Sequence, residues 1–194
     1  MEKKKIIIVH GWDGSPNSDW YPWLQQELQQ RGIAVVVPAM PNPQTPTIGE
    51  HIPFLKKTIG TLTSDTILVG HSIGCQTILR YLEQCSDDEH AGGIVLVAGW
   101  LRLTGLETAE EKSVAEPWLT TPIDFEKVRP HTGTVIAFFS DNDPFVPAEN
   151  QQFFRESLNA EVNIVHAAGH MTEDDGWTTA PAVLESILKL INNP

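Results

Sequence analysis

The segment that decides the fold is residues 66–76, which read Thr-Ile-Leu-Val-Gly-His-Ser-Ile-Gly-Cys-Gln. An apolar strand runs into the turn at 70–74, and a helical pattern of apolar residues follows over 77–82. A serine at so sharp a turn adopts a strained backbone, and glycines two residues before and after it remove β-carbons that would clash. Such small-residue patterns also occur by chance in loops, but the strand before and the helix after favour a nucleophile. We therefore predict that Ser72 is a nucleophile.

An acid and a histidine follow two later strands. Residues 134–140 form an apolar, β-branched run that ends at Asp141-Asn142-Asp143-Pro144, and residues 160–165 alternate like a strand that leads to His170. This order of serine, acid and histidine differs from the chymotrypsin-like and subtilisin-like orders. We predict that His170 takes the proton of the attacking serine and returns it to the leaving group, the alternative being a loop histidine without a role. Packing, local or surface positions are expected for His51, His71, His90, His131 and His166.

Two carboxylates compete for the role of orienting the His170 ring. Asp141 and Asp143 both follow the predicted strand at 134–140. Proline restricts the preceding residue to extended backbone, so Pro144 fixes the direction of the Asp143 carboxylate. We therefore predict Asp143 as the orienting acid. Asp141 stays the alternative, and it can instead close the turn through its own side chain.

A glycine-bearing turn follows the first predicted strand, where Ile6–Val9 leads into His10-Gly11-Trp12-Asp13-Gly14. Hydrolases of this strand-turn-helix type place a backbone N–H there that faces the developing oxyanion. We predict the N–H groups of Trp12 and Ile73 as an oxyanion hole, in which each donor can contribute about 3 kcal/mol. The alternative is an ordinary glycine-rich turn. The chain has no dinucleotide fingerprint and no phosphate-binding loop.

Together these motifs resemble the α/β-hydrolase superfamily. More closely, the chain resembles the small serine hydrolases of the retinoblastoma-binding protein nine family and its bacterial relatives. The segments that carry this likeness are His10-Gly11-Trp12, Met40-Pro41-Asn42-Pro43, Gly70-His71-Ser72-Ile73-Gly74-Cys75, Ser140-Asp141-Asn142-Asp143-Pro144-Phe145-Val146-Pro147 and Gly169-His170. The resemblance implies a triad of Ser72, Asp143 and His170 in an intracellular hydrolase that needs no cofactor. The Leu-x-Cys-x-Glu motif is missing around both cysteines, so retinoblastoma binding is not expected.

Charge and composition narrow the class of partner. The chain has 13 Lys and Arg against 25 Asp and Glu, a net charge of −12, which should repel nucleic acid and anionic membranes. No apolar stretch is long enough to span a membrane, and the apolar segment after Met1-Glu2-Lys3-Lys4-Lys5 is too short for a signal peptide. We expect acidic runs such as Glu173-Asp174-Asp175 to lie at the surface. The alternative is that this run gives the pocket a preference for cationic substrates. We therefore predict a cytoplasmic protein whose partner is a small-molecule acyl substrate, with no nucleic acid or membrane partner.

The cysteine usage agrees with a reducing compartment. Cys75 and Cys85 lie ten residues apart on one predicted helix, a rise of about 15 Å, so they cannot form a disulfide with each other. No His or Cys cluster has the spacing of a zinc site, and we predict no metal. The oligomeric state is left open between a monomer and a weak dimer.

Hydrophobic periodicity predicts strands at 5–10, 34–37, 66–70, 93–98, 134–140 and 161–165, and helices at 20–31, 48–60, 75–85, 148–158 and 181–192. This alternation predicts a single α/β domain over residues 1–194. Its sheet should be mostly parallel and six-stranded, with helices on both faces and no large lid. Because sites in such sheets lie at the carboxyl ends of the strands, the predicted site residues can meet at one edge.

Residues 99–133 form the longest excursion between strands, and we expect one short helix there beside the pocket. Candidate pocket residues, most of which plain core packing would also explain, are Gly11, His71, Trp100, Trp118, Phe145, Met171 and Trp177. The predicted function is a carboxylesterase-like serine hydrolase that cleaves small carboxylic esters, or thioesters or amides, through an acyl-enzyme. The alternative is a catalytically silent protein-binding module on the same fold.

Overall fold

A six-stranded sheet forms the centre of the protein in a computed structural model that describes residues 4–192. Its strands are β1 Lys5–Val9, β2 Ala34–Val36, β3 Thr66–His71, β4 Gly93–Val97, β5 Thr134–Ser140 and β6 Glu161–Val165. Their order across the sheet is β2-β1-β3-β4-β5-β6, and every neighbouring pair is parallel. The first three residues of the basic N-terminal run lie outside the described residues, and the domain boundaries 1–194 stay a prediction.

Seven helices cover the two faces of the sheet within residues 4–192. They are α1 Tyr21–Gln30, α2 Ile48–Ile59, α3 Ile73–Leu82, α4 Ala109–Thr120, α5 Phe125–Val128, α6 Glu149–Leu158 and α7 Pro181–Asn192. Successive strand residues point to opposite faces, so β1 sends Ile6 and Ile8 towards α1 and α7 and sends Ile7 and Val9 towards α2 and α3. Two apolar layers therefore hold the sheet between them, and burial on both faces explains the near-continuous apolar strands.

The predicted fold class is confirmed, with two refinements. The sheet is parallel throughout rather than mostly parallel. The third helix begins at Ile73 and ends at Leu82, earlier than the expected 75–85, because the elbow turn passes directly into the helix. Both cysteines are free, as expected. Within residues 4–192, no helix has the length and apolar character needed to cross a membrane.

The excursion after β4 holds more helix than the single short one expected. Helix α4 begins with a capping box, in which Thr108 accepts from the Glu111 N–H at 3.1 Å and the Glu111 carboxylate accepts from the Thr108 N–H at 2.8 Å. At the other end of α4, the buried Arg80 donates to the carbonyls of Trp118 at 2.9 Å and Thr121 at 2.7 Å. These contacts satisfy carbonyl groups that a helix end leaves unpaired, and so they fix α4 to the core.

Candidate active site

Ser72 lies at the turn between β3 and α3, in a backbone conformation that side chains rarely adopt, with φ 52° and ψ −119°. Its N–H donates to the Val97 carbonyl at 2.9 Å, which fastens the turn to the neighbouring strand. A β-carbon on Gly74 would lie only 2.2 Å from the Val9 carbonyl oxygen, and one on Gly70 would lie 2.8 Å from the Cys75 nitrogen. The strain at Ser72 is therefore kept by close backbone packing that only glycine permits on either side.

His170 lies in the loop after β6 and connects the serine to an acid. Its Nε2 is 2.9 Å from Ser72 Oγ, and its Nδ1 is 2.8 Å from Asp143 Oδ2. Because a carboxylate only accepts, Nδ1 carries the ring proton and the Nε2 lone pair accepts from the serine hydroxyl. The backbone N–H of His170 donates to Asp175 at 2.8 Å, which holds the loop in place. The ring is thus oriented to take a proton from Ser72.

Asp143 is buried and held in a single orientation. Its side chain is 2% exposed, and its Oδ1 accepts from the N–H groups of Phe145 at 2.8 Å and Val146 at 3.0 Å. These bonds use the oxygen that does not face His170, so Oδ2 remains directed at the imidazole. Hydrogen bonds and burial together give this carboxylate the geometry expected of an orienting acid.

Asp141, the alternative acid, contacts a different histidine. Its Oδ2 is 2.7 Å from His166 Nδ1, and its Oδ1 accepts from the Ala167 N–H at 2.8 Å. The Ala167 hydrogen bond, followed by the one from His166, holds the pKa of Asp141 below its usual range. Both side chains are exposed, by 42% for Asp141 and 91% for His166, so this pair lies at the surface.

A buried network of hydrogen bonds connects the segments that carry the site residues. The Gly11 N–H donates to the Tyr21 hydroxyl at 3.1 Å, the hydroxyl donates to His71 Nδ1 at 2.7 Å, and His71 Nε2–H donates to the His170 carbonyl at 2.9 Å. Burial, followed by the nearby His170, lowers the pKa of His71 to about 4, so His71 is neutral at physiological pH. The network joins the turn at residues 10–14, the turn at Ser72 and the loop that carries His170.

The sequence of this chain matches a known protein family. Residues 6–189, nearly the whole chain, match the sequence model of the family described as Serine hydrolase. The chain belongs to the serine hydrolase family. Membership agrees with the predicted hydrolase activity and with the resemblance drawn from the motifs.

Individual relatives support the same assignment to serine hydrolases. The chain is 31% identical over 183 residues to the protein named "Putative hydrolase YdeN" of Bacillus subtilis, covering 94% of this chain and 93% of that one. It is 28% identical over 169 residues to "Serine hydrolase RBBP9" of Rattus norvegicus, covering 86% of both chains. The crystal structure of the Bacillus subtilis ydeN gene product superimposes with a TM-score of 0.90 at 28% identity, covering 98% of this chain and all of that one.

The predicted oxyanion donors of this serine hydrolase both lie just after the carboxyl ends of neighbouring strands, β1 and β3. Ile73 is the first residue of α3, and Trp12 follows Gly11 in the turn after β1. In the part of the chain that the structure describes, neither backbone N–H donates to another protein group. A helix start concentrates unpaired N–H groups and favours negative charge, so the Ile73 N–H is suited to an oxyanion.

A cavity of about 630 Å³ opens beside Ser72 and His170 in this serine hydrolase. Four of the expected wall residues line it, namely Gly11, His71, Trp100 and Phe145. Further apolar walls come from Trp12, Leu103 and Leu106, and carboxylates from Asp13, Glu110 and Asp174. Among residues 4–192, no Lys or Arg lines the cavity, and no cluster of three or more His, Cys, Asp or Glu could hold a metal ion.

Three expected wall residues lie elsewhere. Trp118 lines a separate cavity of about 200 Å³, and its indole donates to the Pro46 carbonyl at 3.0 Å. Met171 and Trp177 pack in the apolar layer that the sheet forms with α1 and α7, and neither lines the cavity beside Ser72. Met171 has a left-handed backbone with φ 59°, and its side chain is fully buried and does not line the cavity. A large apolar side chain in a segment that follows a strand does not by itself indicate which way that side chain points.

Other residues of the site were not anticipated from the sequence of this serine hydrolase. Asn142 accepts from the Gly169 N–H at 2.8 Å, and Tyr21 and Asp175 make the bonds described above. No signal singles out Tyr21, because a tyrosine at the start of an amphipathic helix is typical of plain core. Asn142 and Asp175 lie within the motifs already singled out, but an amide or carboxylate in a turn indicates a turn rather than its distant partner.

Proposed function

We propose that this serine hydrolase cleaves small carboxylic esters through an acyl-enzyme on Ser72. The observation that carries the proposal is the continuous run of hydrogen bonds from Asp143 through His170 to Ser72, with distances of 2.8 and 2.9 Å. The run ends at a serine hydroxyl that faces the 630 Å³ cavity. An activated nucleophile in reach of a substrate-sized cavity is what acyl transfer needs.

The proposed reaction uses each group in turn. Ser72 Oγ attacks the ester carbonyl carbon while its proton passes to His170 Nε2, and the departing alcohol then takes that proton. Water attacks the acyl-enzyme with His170 again as the base, and the acid product leaves. Asp143 keeps the imidazole in the productive tautomer and stabilises the imidazolium, while the N–H groups of Trp12 and Ile73 stabilise the oxyanion.

The cavity walls favour uncharged esters over anionic ones. Its surface combines apolar side chains such as Leu103 and Leu106 with carboxylates such as Glu110 and Asp174. A substrate with its own carboxylate would be repelled at close range in this acidic chain. Esters that carry no carboxylate of their own are therefore the proposed substrates. Thioesters and amides, which the same chemistry can cleave, are outcomes of a substrate panel graded by leaving group and acyl size.

Labelling with a fluorophosphonate tests the proposal. The probe should react covalently with the wild-type protein and not with Ser72→Ala, and only the wild type should hydrolyse p-nitrophenyl esters. Equal labelling of the two proteins would overturn the proposal and favour the catalytically silent binding module. If Ser72→Ala loses labelling but the wild type cleaves only amides or thioesters, the nucleophile stands and the ester assignment fails.

The proposed place of action is the cytoplasm, on a small-molecule acyl substrate. Two free cysteines, Cys75 and Cys85, support a reducing compartment. The net charge of −12 supports a protein that avoids nucleic acid and anionic membranes. Recovery of the protein with the membrane or extracellular fraction of its cells would contradict this part of the proposal.

A further inference from the structure

A buried indole N–H donates to the oxygen of Ser72, in addition to the contact that this oxygen makes with His170. Trp100, in the turn after β4, is 1% exposed, and its Nε1–H donates to Ser72 Oγ at 3.4 Å. An indole nitrogen is only a donor, and a buried one needs an acceptor. The serine oxygen is the acceptor that the structure provides.

Two buried amide side chains hold the turn that carries Trp100. Gln76 on α3 donates to the Trp100 carbonyl at 2.8 Å. Asn150 on α6 accepts from the N–H groups of Leu101 at 2.7 Å and Arg102 at 3.0 Å. Burying an amide costs free energy unless its groups are bonded, and both amides use their bonds to fix residues 100–102. The indole is therefore positioned by the core rather than by a mobile loop.

We propose that Trp100 is a catalytic residue whose indole N–H stabilises negative charge on Ser72 Oγ. This inference rests on the proposed acyl-enzyme mechanism and adds to it a donor for the nucleophile oxygen itself. The backbone N–H groups of Trp12 and Ile73 serve the carbonyl oxygen of the substrate. Trp100 serves the other oxygen that gains charge in the reaction.

The role follows from the movement of protons and electrons. During acylation the Ser72 O–H bond breaks, its proton goes to His170 Nε2, and an Oγ electron pair forms the bond to carbon. During deacylation the carbon–Oγ bond breaks, its electron pair returns to Oγ, and Oγ recovers a proton from His170. Oγ carries charge in both steps, while the indole keeps its own proton. Hydrogen bonds to charged oxygens are shorter and stronger, so the long resting contact tightens as charge develops.

The kinetic test replaces Trp100 by phenylalanine, which removes the N–H and keeps an aromatic ring. Trp118→Phe is the matched control, because it removes a buried indole N–H bonded to the Pro46 carbonyl, outside the cavity. Trp100→Phe should lower kcat for esters and the rate of fluorophosphonate labelling by about tenfold, with little change in KM. Trp118→Phe should keep both rates within about twofold. Wild-type rates in Trp100→Phe would overturn the proposal.

A second measurement does not depend on turnover. The indole N–H resonance of Trp100, assigned by its loss in Trp100→Phe, should shift in Ser72→Ala because its acceptor is gone, while that of Trp118 should not. An unmoved Trp100 resonance would overturn the proposal even if Trp100→Phe were slow. If the wild type neither hydrolyses esters nor reacts with the probe, the proposed function fails, and with it the catalytic role of Trp100. The resonance then reports only whether the contact exists.

Discussion

The same two loops carry two Asp–His pairs that are nearly alike in distance and entirely unlike in surroundings. Asp143 and His170 are 2.8 Å apart with side chains 2% and 14% exposed, whereas Asp141 and His166 are 2.7 Å apart and 42% and 91% exposed. Only the buried pair has a serine hydroxyl on the far nitrogen of the imidazole. A short contact between an acid and a histidine is therefore not enough to mark a catalytic pair.

Burial explains why the two pairs should behave differently. Water screens charges at the surface, so an exposed ion pair contributes little and its members can turn away from each other. In the buried pair, Asp143 receives two backbone N–H groups and cannot rotate, and the His170 ring is trapped between it and Ser72. The exposed pair therefore joins two loops, whereas the geometry of the less exposed pair fits proton transfer.

Asp143→Asn should have the largest effect of the substitutions in these two pairs. The Asn oxygen can still accept from Phe145 and Val146, but its NH₂ would face His170 Nδ1 and force the proton onto Nε2. That tautomer cannot accept the Ser72 proton, so kcat for ester hydrolysis should fall by about 10⁴-fold with the fold retained. Steady-state kinetics with a circular dichroism control measure this. A loss of less than tenfold would show that Asp143 is not the orienting acid.

His71 differs from both of these histidines, since it is buried and its ring nitrogens bond to the Tyr21 hydroxyl and the His170 carbonyl instead of a carboxylate. Its pKa of about 4 lies below the ordinary 6.5, so between these pH values the unfolded chain binds a proton that the folded chain does not. Stability is therefore lost as pH falls from 6.5 to 4, by about 3 kcal/mol from this residue. Denaturant unfolding across this range should show a steeper loss in wild type than in His71→Gln.

The other titratable groups near His71 are present in both the wild type and the variant. His170, Asp19 and Asp143 face it, and they remain in both proteins. Burial lowers the pKa values of His10 and His51 as well, which adds acid sensitivity common to wild type and variant. Equal slopes for the two proteins would contradict a neutral, buried His71.

The smallest effect is expected for Asp141→Asn. The Asn oxygen can keep the bond from the Ala167 N–H, and only the contact with the exposed His166 is weakened. The expected kcat lies within about twofold of wild type, because exposed pairs contribute little. The same ester assay measures it. A loss as large as that of Asp143→Asn would mean that the surface pair takes part in the chemistry.

Elements of regular pattern were predictable from the sequence, and long-range contacts were not. The sequence predicts the strand at 134–140 with the bounds that the structure shows, because an apolar β-branched run of this length that ends at a turn is typical of a strand. The elbow at Ser72 was recognisable because glycine spacing and strand-turn-helix context agree. Asp143 was preferred over Asp141 through Pro144, a local constraint that could be read without coordinates.

Two kinds of feature could not be predicted from the sequence: the direction in which a side chain points, and its contacts with residues far away along the chain. Trp118 and Met171 lie near the site along the chain, but which way a side chain points follows from packing that no local pattern describes. The bond from Tyr21 to His71 joins residues 50 apart in sequence. Helix α4 is predictable from the sequence, because Thr108 and Glu111 have the spacing of a capping box. The length of the excursion at 99–133 does not by itself indicate this helix, and the single short helix expected there is less than the structure contains.

We propose that His170, whose side chain is 14% exposed, activates Ser72, and that the exposed His166 does not. The most direct test is the second-order rate of fluorophosphonate labelling in His170→Ala and His166→Ala, each compared with wild type. The predicted result is a loss of more than about 10³-fold for His170→Ala and a rate within about twofold for His166→Ala. Similar rates in the two variants, or a loss confined to His166→Ala, would contradict the account.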